Sequence, residues 1–145
     1  MITSRQIHAI LKQKAPFVLV DKVTAFEKGK RITALKNITG SEWFAAMHFP
    51  ENPVYPGIYI IESIAQTTAL LCALSAEDTG QLWALGGLQR FDFHSPVYPG
   101  DTLILDVEAI KLCQNMAIVN ACAKTAERRI ARGQLTFGVI ENAQT

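Results

Sequence analysis

The sequence predicts an α+β domain in which one long helix is buried under a curved antiparallel sheet, and three observations carry that expectation. The run Gly57 to Ser75 has no proline or glycine beyond its first residue and is rich in Ile, Leu and Ala, so it reads as a helix. Its apolar residues are not confined to one stripe, which predicts burial on most sides. Most other segments are strand-like, and the short connections between the last three force antiparallel pairing. A single apolar helix in such a chain calls for a sheet wrapped about it. The 145 residues contain no repeat, linker or low-complexity stretch, so 1–145 is expected to form one domain.

In chain order, Thr3-x-x-Gln6 is a capping box, and Ile7, Ile10 and Leu11 follow at helical spacing, predicting a short helix that ends near Lys14, ahead of Pro16. His8 on that helix has no visible partner and is expected at a surface or in a packing groove. Phe17 to Phe26 is β-branched and aromatic and reads as a strand. Glu27 to Lys30 turns, and Arg31 to Thr39 returns as a second strand, making a hairpin. After the long helix, Ser75 to Gly80 is a loop. Leu82 to Leu88, continued by Gln89 to Phe93, is an expected strand, and Pro96 to Asp101 a stiff turn. Thr102 to Lys111, Met116 to Lys124 and Ile130 to Ile140 complete the sheet, with Glu127 to Arg129 as a turn. On the last strand Ala131, Leu135, Phe137 and Val139 share one face, and Arg132, Gln134 and Thr136 the other.

Composition excludes several classes. A chain that is 49% hydrophobic and 19% charged folds as a globule. A net charge of +1 gives no general reason to expect nucleic acid. No membrane span is expected, because Glu62 interrupts the best apolar run, and Met1 to Gln6 lacks the apolar core of a signal peptide. Cys72, Cys113 and Cys122 have no C-x-x-C spacing. As an odd set inside apolar segments they predict buried, reduced thiols and a cytoplasmic setting, and they offer no zinc-site pattern.

The segment that carries chemistry is His48-Phe49-Pro50-Glu51-Asn52-Pro53-Val54-Tyr55-Pro56-Gly57, leading into the helix that bears Glu62 and Gln66. Three prolines make the connection stiff, so the histidine is held rather than free. Trp43, Phe44 and Phe49 would wall it with apolar surface. Glu62 falls in the second helical turn, where a buried carboxylate is costly unless partnered or used. A histidine near neutrality, a carboxyl whose pKa burial would raise, and a helix N-terminus able to meet developing negative charge are the parts of an acid/base site. Taken singly, His48 also fits a hydrogen-bonded turn histidine and Glu62 a helix carboxylate paired with a lysine. A metal site would have only two visible ligands, where a catalytic zinc shows three. Gln66, one turn after Glu62, is placed to steady that carboxylate.

These residues resemble the motif of the 3-hydroxyacyl-acyl-carrier-protein dehydratases, the FabZ-type branch of the hot-dog fold: H-F-P-x-x-P-x-x-P-G, then Glu five residues after the Gly. Ala15 to Val23 is similar to the family's Y-P-F-L-L-V-D-R-V, Gly29 to Thr39 to its second strand, and Phe93 to Asp101 to its F-x-x-P-V-x-P-G-D turn. The likeness covers roughly residues 10 to 112 in order, and the last two strands match in pattern. The chain departs from the family at Met47 and Glu51, each usually Gly, at His94 and Ser95, usually basic, and at Lys12 to Ala15, which stand for P-H-R-Y. These departures touch the channel mouth and carrier docking and remove no catalytic group. Related bifunctional isomerases carry Asp at the Glu62 position.

The resemblance implies a hydro-lyase of fatty-acid, polyketide or aryl-polyene-type synthesis that takes (3R)-3-hydroxyacyl-acyl carrier protein to the trans-2-enoyl product, with no metal or organic cofactor. His48 would be the base and Glu62 the group acting on the departing hydroxyl, paired across a homodimer whose subunits share a continuous sheet. A trimer of dimers, or a heterodimer with a related dehydratase, is also compatible. The Gly57 N–H would bind the thioester oxygen, and the Val54 main chain would hold the imidazole. Phe49 is candidate channel lining, and Tyr55, Tyr59, Phe91 and Phe93 are read as core or channel lining rather than recognition residues. Lys12 and Arg90 are candidates for docking an acidic carrier protein with its phosphopantetheine arm, while Lys14, Lys111, Lys124, Arg128, Arg129 and Arg132 are read as solvated surface. The rival readings are a hot-dog acyl thioesterase and a non-catalytic subunit of an active dehydratase.

Overall fold

The computed structural model describes residues 1–76 and 80–141. Residues 77–79 of the expected 75–80 loop lie outside the described residues. Two helices, α1 (Ser4–Ile10) and α2 (Gly57–Ser75), accompany six strands: β1 (Lys22–Glu27), β2 (Arg31–Asn37), β3 (Leu82–Phe93), β4 (Thr102–Leu112), β5 (Met116–Lys124) and β6 (Arg129–Ile140). The strands form one antiparallel sheet in the order β1-β2-β4-β5-β6-β3. Helix α2 packs across β2, β4, β5 and β3, so the sheet wraps it as expected, and the architecture is a single hot-dog-type fold.

The core follows the period of each element. β2 buries Ile32 and Ala34, β4 Leu103, Leu105 and Val107, β5 Val119 and Ala121, and β6 Leu135 and Phe137. Alternate residues on these strands face outward, as a twofold side-chain period requires. Helix α2 is different. Its buried residues include Ser63, Gln66, Thr67 and Thr68 beside Ile60, Ile64, Leu70 and Leu71, whereas Ile58 is exposed and Ile61, Ala65 and Ala69 are half-buried. Burial on most sides is therefore not reached within one chain: one flank stays open. The buried hydroxyls are satisfied locally, Thr67 and Thr68 donating to the carbonyls of Ser63 and Ile64 four residues back.

Several sequence expectations are corrected. Helix α1 stops at Ile10, where Leu11 turns extended, rather than near Lys14. β1 starts at Lys22, not Phe17, because the backbone of residues 17 and 19 is paired with a side chain instead of a strand. Helix α2 does have the length and hydropathy of a membrane-crossing helix despite Glu62, but half of that window is buried under the sheet. Of the cysteines only Cys72 is buried, its thiol pushed up to about 12 by burial; Cys122 is half-buried and Cys113 exposed. Arg128 is not simply solvated: it binds Asp101 and the Pro96 carbonyl.

The two sheet edges are unequal. β1 is partly covered by a bridge from Ile2 to Val23. β3 is mostly exposed, carries Leu85, Leu88 and Phe93 at the surface, and pairs with β6 alone among the described residues.

Candidate active site

His48 follows a single 3-10 turn, Trp43–Ala46, and its backbone N–H donates to the Phe44 carbonyl at 2.7 Å. That turn is fixed at its start by Glu42, which meets the buried Lys36 ammonium at 2.7 Å, with Asp21 3.9 Å from the same nitrogen. The imidazole is set from the other side: Nδ1 lies 2.7 Å from the Val54 carbonyl. A carbonyl only accepts, so Nδ1 carries a proton, and in the neutral ring the lone pair is on Nε2, which makes no hydrogen bond among the described residues. Phe49 takes φ +56°, a left-handed conformation seldom adopted by a bulky residue, and its ring lies 4.5 Å from the imidazole. The chain thereby reverses at once, Asn52 N–H reaching back to the Phe49 carbonyl at 2.8 Å.

Glu62 is half-buried in α2, and Gln66 Nε2 donates to its Oε1 at 3.0 Å. Gln66 is wholly buried and does more than the helical spacing suggested. It accepts from Leu19 N–H at 2.8 Å and donates to the Phe17 carbonyl at 2.8 Å, so its amide stands in for a neighbouring strand. A neutral carboxamide with every group committed can hold Glu62 in one orientation without neutralising it.

The N-terminus of α2 has Pro56 at the cap and no side chain accepting from its first amides. Tyr59 N–H turns back to the Pro56 carbonyl at 2.9 Å, while the Gly57 and Ile58 N–H groups have no hydrogen bond among the described residues and can serve a developing negative charge. Gly57 lies close under Phe93: a Cβ there would stand 3.2 Å from the ring, which would have to shift by a few tenths of an ångström. Phe93 is put there by a bulge in β3. Pairing with β6 passes from Gln89 to Asp92, with Arg90 at φ +50°, so Arg90 and Phe91 oppose Gly133 alone. A Cβ on Gly133 would fall 2.7 Å from the Phe91 Cα. The bulge leaves Phe91 and Phe93 with ring centroids 5.2 Å apart beside the helix end.

The remaining predicted residues divide. Tyr59 is half-buried and lies at the centre of an aromatic group, edge-on to Phe17 at 5.9 Å and to Trp43 at 5.3 Å. Phe49 is 62% exposed, but Tyr55 is 1% exposed and belongs to the core rather than to an open channel. Lys12 lines a small cavity with Leu82 and Trp83 at the start of β3, while Arg90 is near the other end of that strand, roughly 24 Å away at 3.4 Å per residue. Within one chain they are not one patch. His48 and Glu62 likewise share no hydrogen bond or ion pair among the described residues. No group of three or more His, Cys, Asp or Glu side chains able to hold a metal occurs among those residues.

Sequence reasoning missed two supports. Val97, buried in the second proline turn, accepts from Tyr55 N–H at 2.8 Å, and Ser63 Oγ lies 2.9 Å from the Tyr55 hydroxyl. The first had a signal in Pro-Val-Tyr-Pro-Gly, a turn as stiff as the one bearing His48. The second had none, since a serine in a helix ordinarily bonds its own backbone.

The FabA-like domain family matches residues 11–134. The chain is 36% identical over 141 residues to a 3-hydroxyacyl-[acyl-carrier-protein] dehydratase FabZ of Clostridioides difficile (strain 630), covering 97% of this chain and 99% of that one. It is 40% identical over 136 residues to the FabZ of Enterococcus faecalis, covering 94% and 96%. Among solved structures, the dehydratase heterocomplex ApeI:P of Xenorhabdus doucetiae superposes with a TM-score of 0.79 at 14% identity, over 93% of this chain and 91% of that one. A Pseudomonas aeruginosa thioesterase gives 0.71 at 15% identity, over 97% and 95%. At such identities these two structures speak to the fold alone.

Proposed function

The chain belongs to the FabZ-type 3-hydroxyacyl-acyl-carrier-protein dehydratases of the FabA-like domain family, and from that premise we propose how its residues do the work. The reaction removes water from a 3-hydroxyacyl thioester of fatty-acid synthesis. His48 Nε2 takes the proton from C2. The electron pair forms the C2–C3 double bond, and the C3–O bond breaks as Glu62 passes a proton to the departing hydroxyl. The Gly57 N–H and the end of the α2 dipole hold the thioester oxygen while it carries negative charge. Water and a trans-2-enoyl thioester leave, and one proton returns from His48 to Glu62 through solvent. The substrate is the (3R) alcohol on the phosphopantetheine arm of an acyl carrier protein.

One observation carries this reading: the Val54 carbonyl fixes the Nδ1–H tautomer, leaving Nε2 basic and unpaired. Removal of an acid or base of this kind typically costs about 10²–10⁴ in rate.

The working unit is a homodimer in which His48 of one chain meets Glu62 of the other. Three features support it: the open flank of α2, the exposed apolar edge of β3, and the lack of a His48–Glu62 hydrogen bond or ion pair within a chain. Antiparallel pairing of two β3 strands would set the Lys12 end of one chain beside the Arg90 end of the other, joining the two cations into one carrier-facing surface. The cytoplasm, where acyl carrier protein and reduced thiols coexist, is the proposed setting.

Mass analysis of the carrier-bound product tests the assignment. Loss of water on the carrier is expected from the purified chain, and conversion slower by about 10²–10⁴ from His48→Ala or Glu62→Gln. Free acid would indicate thioester hydrolysis, and undiminished turnover by either variant would remove that residue's role.

A further inference from the structure

Tyr55 and Ser63 have no part in the reaction above, yet both are wholly buried beside the site, at 1% and 0% exposure. Their oxygens lie 2.9 Å apart. Burial pushes the Tyr55 phenol above its ordinary pKa, with the Ser63 bond only partly opposing, so the pair is neutral throughout the working range.

The peptide linking Val54 to Tyr55 is engaged at both ends. Its carbonyl accepts the His48 Nδ1–H at 2.7 Å, and its N–H donates to the Val97 carbonyl at 2.8 Å. In a trans, planar peptide these groups point in opposite directions, so anchoring one aims the other. The side chain next to that N–H is Tyr55. Its ring packs edge-on against Phe44 at 5.3 Å, and the Phe44 carbonyl is the acceptor for His48 N–H. A single phenol therefore braces both backbone groups that hold the histidine, and Ser63 ties that phenol to the rigid helix α2.

We propose that the Tyr55–Ser63 hydrogen bond is a positioning device that keeps His48 in its Nδ1–H tautomer by immobilising the Val54–Tyr55 peptide. It rests on the reading of His48 as the base. Tyr55 occupies an open position of the H-F-P-x-x-P-x-x-P-G pattern, so the device belongs to this chain's own sequence. Without the tie, the peptide can rock, the Val54 carbonyl leaves Nδ1, and the imidazole divides between tautomers. The Nε2–H form presents no lone pair to C2.

The test compares the purified full-length chain with Tyr55→Phe, Ser63→Ala and the double variant. Each single variant leaves one buried hydroxyl unpaired and so loses stability for that reason alone; the double variant removes both hydroxyls and leaves neither unpaired. Nitrogen-15 NMR of the His48 ring, above its titration, reads the tautomer directly. The account expects pure Nδ1–H in the native chain and a mixture in all three variants. It also expects kcat to fall about tenfold, with KM within about twofold. A double variant with the native ring spectrum and native kcat overturns the proposal. His48→Ala separates this from the base assignment: if that variant keeps turnover the base reading falls, while the tautomer measurement still stands or fails on its own.

Discussion

His48 and Glu62, the proposed base and acid, are held by opposite kinds of structure. His48 sits on an irregular, proline-stiffened segment and is held by backbone groups: the Phe44 carbonyl on its amide and the Val54 carbonyl on its ring, the latter aimed through Val97. It also tolerates a neighbour, Phe49, in a left-handed conformation that typically costs about 1–3 kcal/mol. Glu62 sits on a continuous helix and is held by a single side chain, Gln66, one turn away. A loop residue needs several remote supports because its own backbone is not regular. A helical residue inherits its direction and needs only one. The histidine's arm is thus the more vulnerable to small distant changes, and the glutamate's arm to one large change.

The comparison is broken most severely at the base itself: His48→Ala is expected to lower kcat by about 10²–10⁴ with little change in melting temperature, measured by enoyl formation beside a thermal melt. Gln66→Leu attacks the other arm. It should lower kcat by about 10–100-fold, as loss of a residue orienting a catalytic group does. It should also destabilise by roughly 2–4 kcal/mol, because Leu19 N–H and the Phe17 carbonyl lose their partner. Denaturant titration would show that stability loss in Gln66→Leu and not in His48→Ala.

Gly133→Ala touches neither arm but the bulge beside them. With the Phe91 backbone less than 3 Å from the new methyl, a loss of about 1–3 kcal/mol is expected. The smallest effect is at Asp101, in the turn that carries Val97. Burial raises its carboxyl pKa, but the Tyr98 amide and the Arg128 guanidinium outweigh that and hold it below the usual range. Its stabilisation is present above the unfolded value near about 3.9 and is lost as pH falls through the lower folded value. Asp101→Asn should therefore melt slightly lower than the native chain at pH 7, by about 1 kcal/mol or less for a half-buried pair that solvent still reaches. Thermal melts should converge as the pH is taken below the folded value.

What the sequence made legible follows the range of the interactions. Gly57–Ser75 and Met116–Lys124 match their expected bounds, since helix period and strand alternation are local. The segment bearing the candidate site stood out because prolines and a glycine mark it. The start of β1 was not, because the group that replaces its strand partner is Gln66, 47 residues on. Tyr55 read as core or channel lining, because an aromatic beside a site fits either; only its contacts with Phe44, Val97 and Ser63 decide for the core. The side of α2 left open in one chain was equally hidden, since Ile58 and Ile61 look as buryable as Ile60 and Ile64.

The central claim is that each site takes His48 from one chain and Glu62 from the other, and complementation measures it directly. His48→Ala and Glu62→Gln chains, each inactive alone, are co-expressed with different tags and the mixed pair is isolated. A shared site predicts one intact His48–Glu62 couple per mixed dimer and about half the native turnover. Sites built within single chains predict none, and a mixed pair as inactive as its parents would contradict the account.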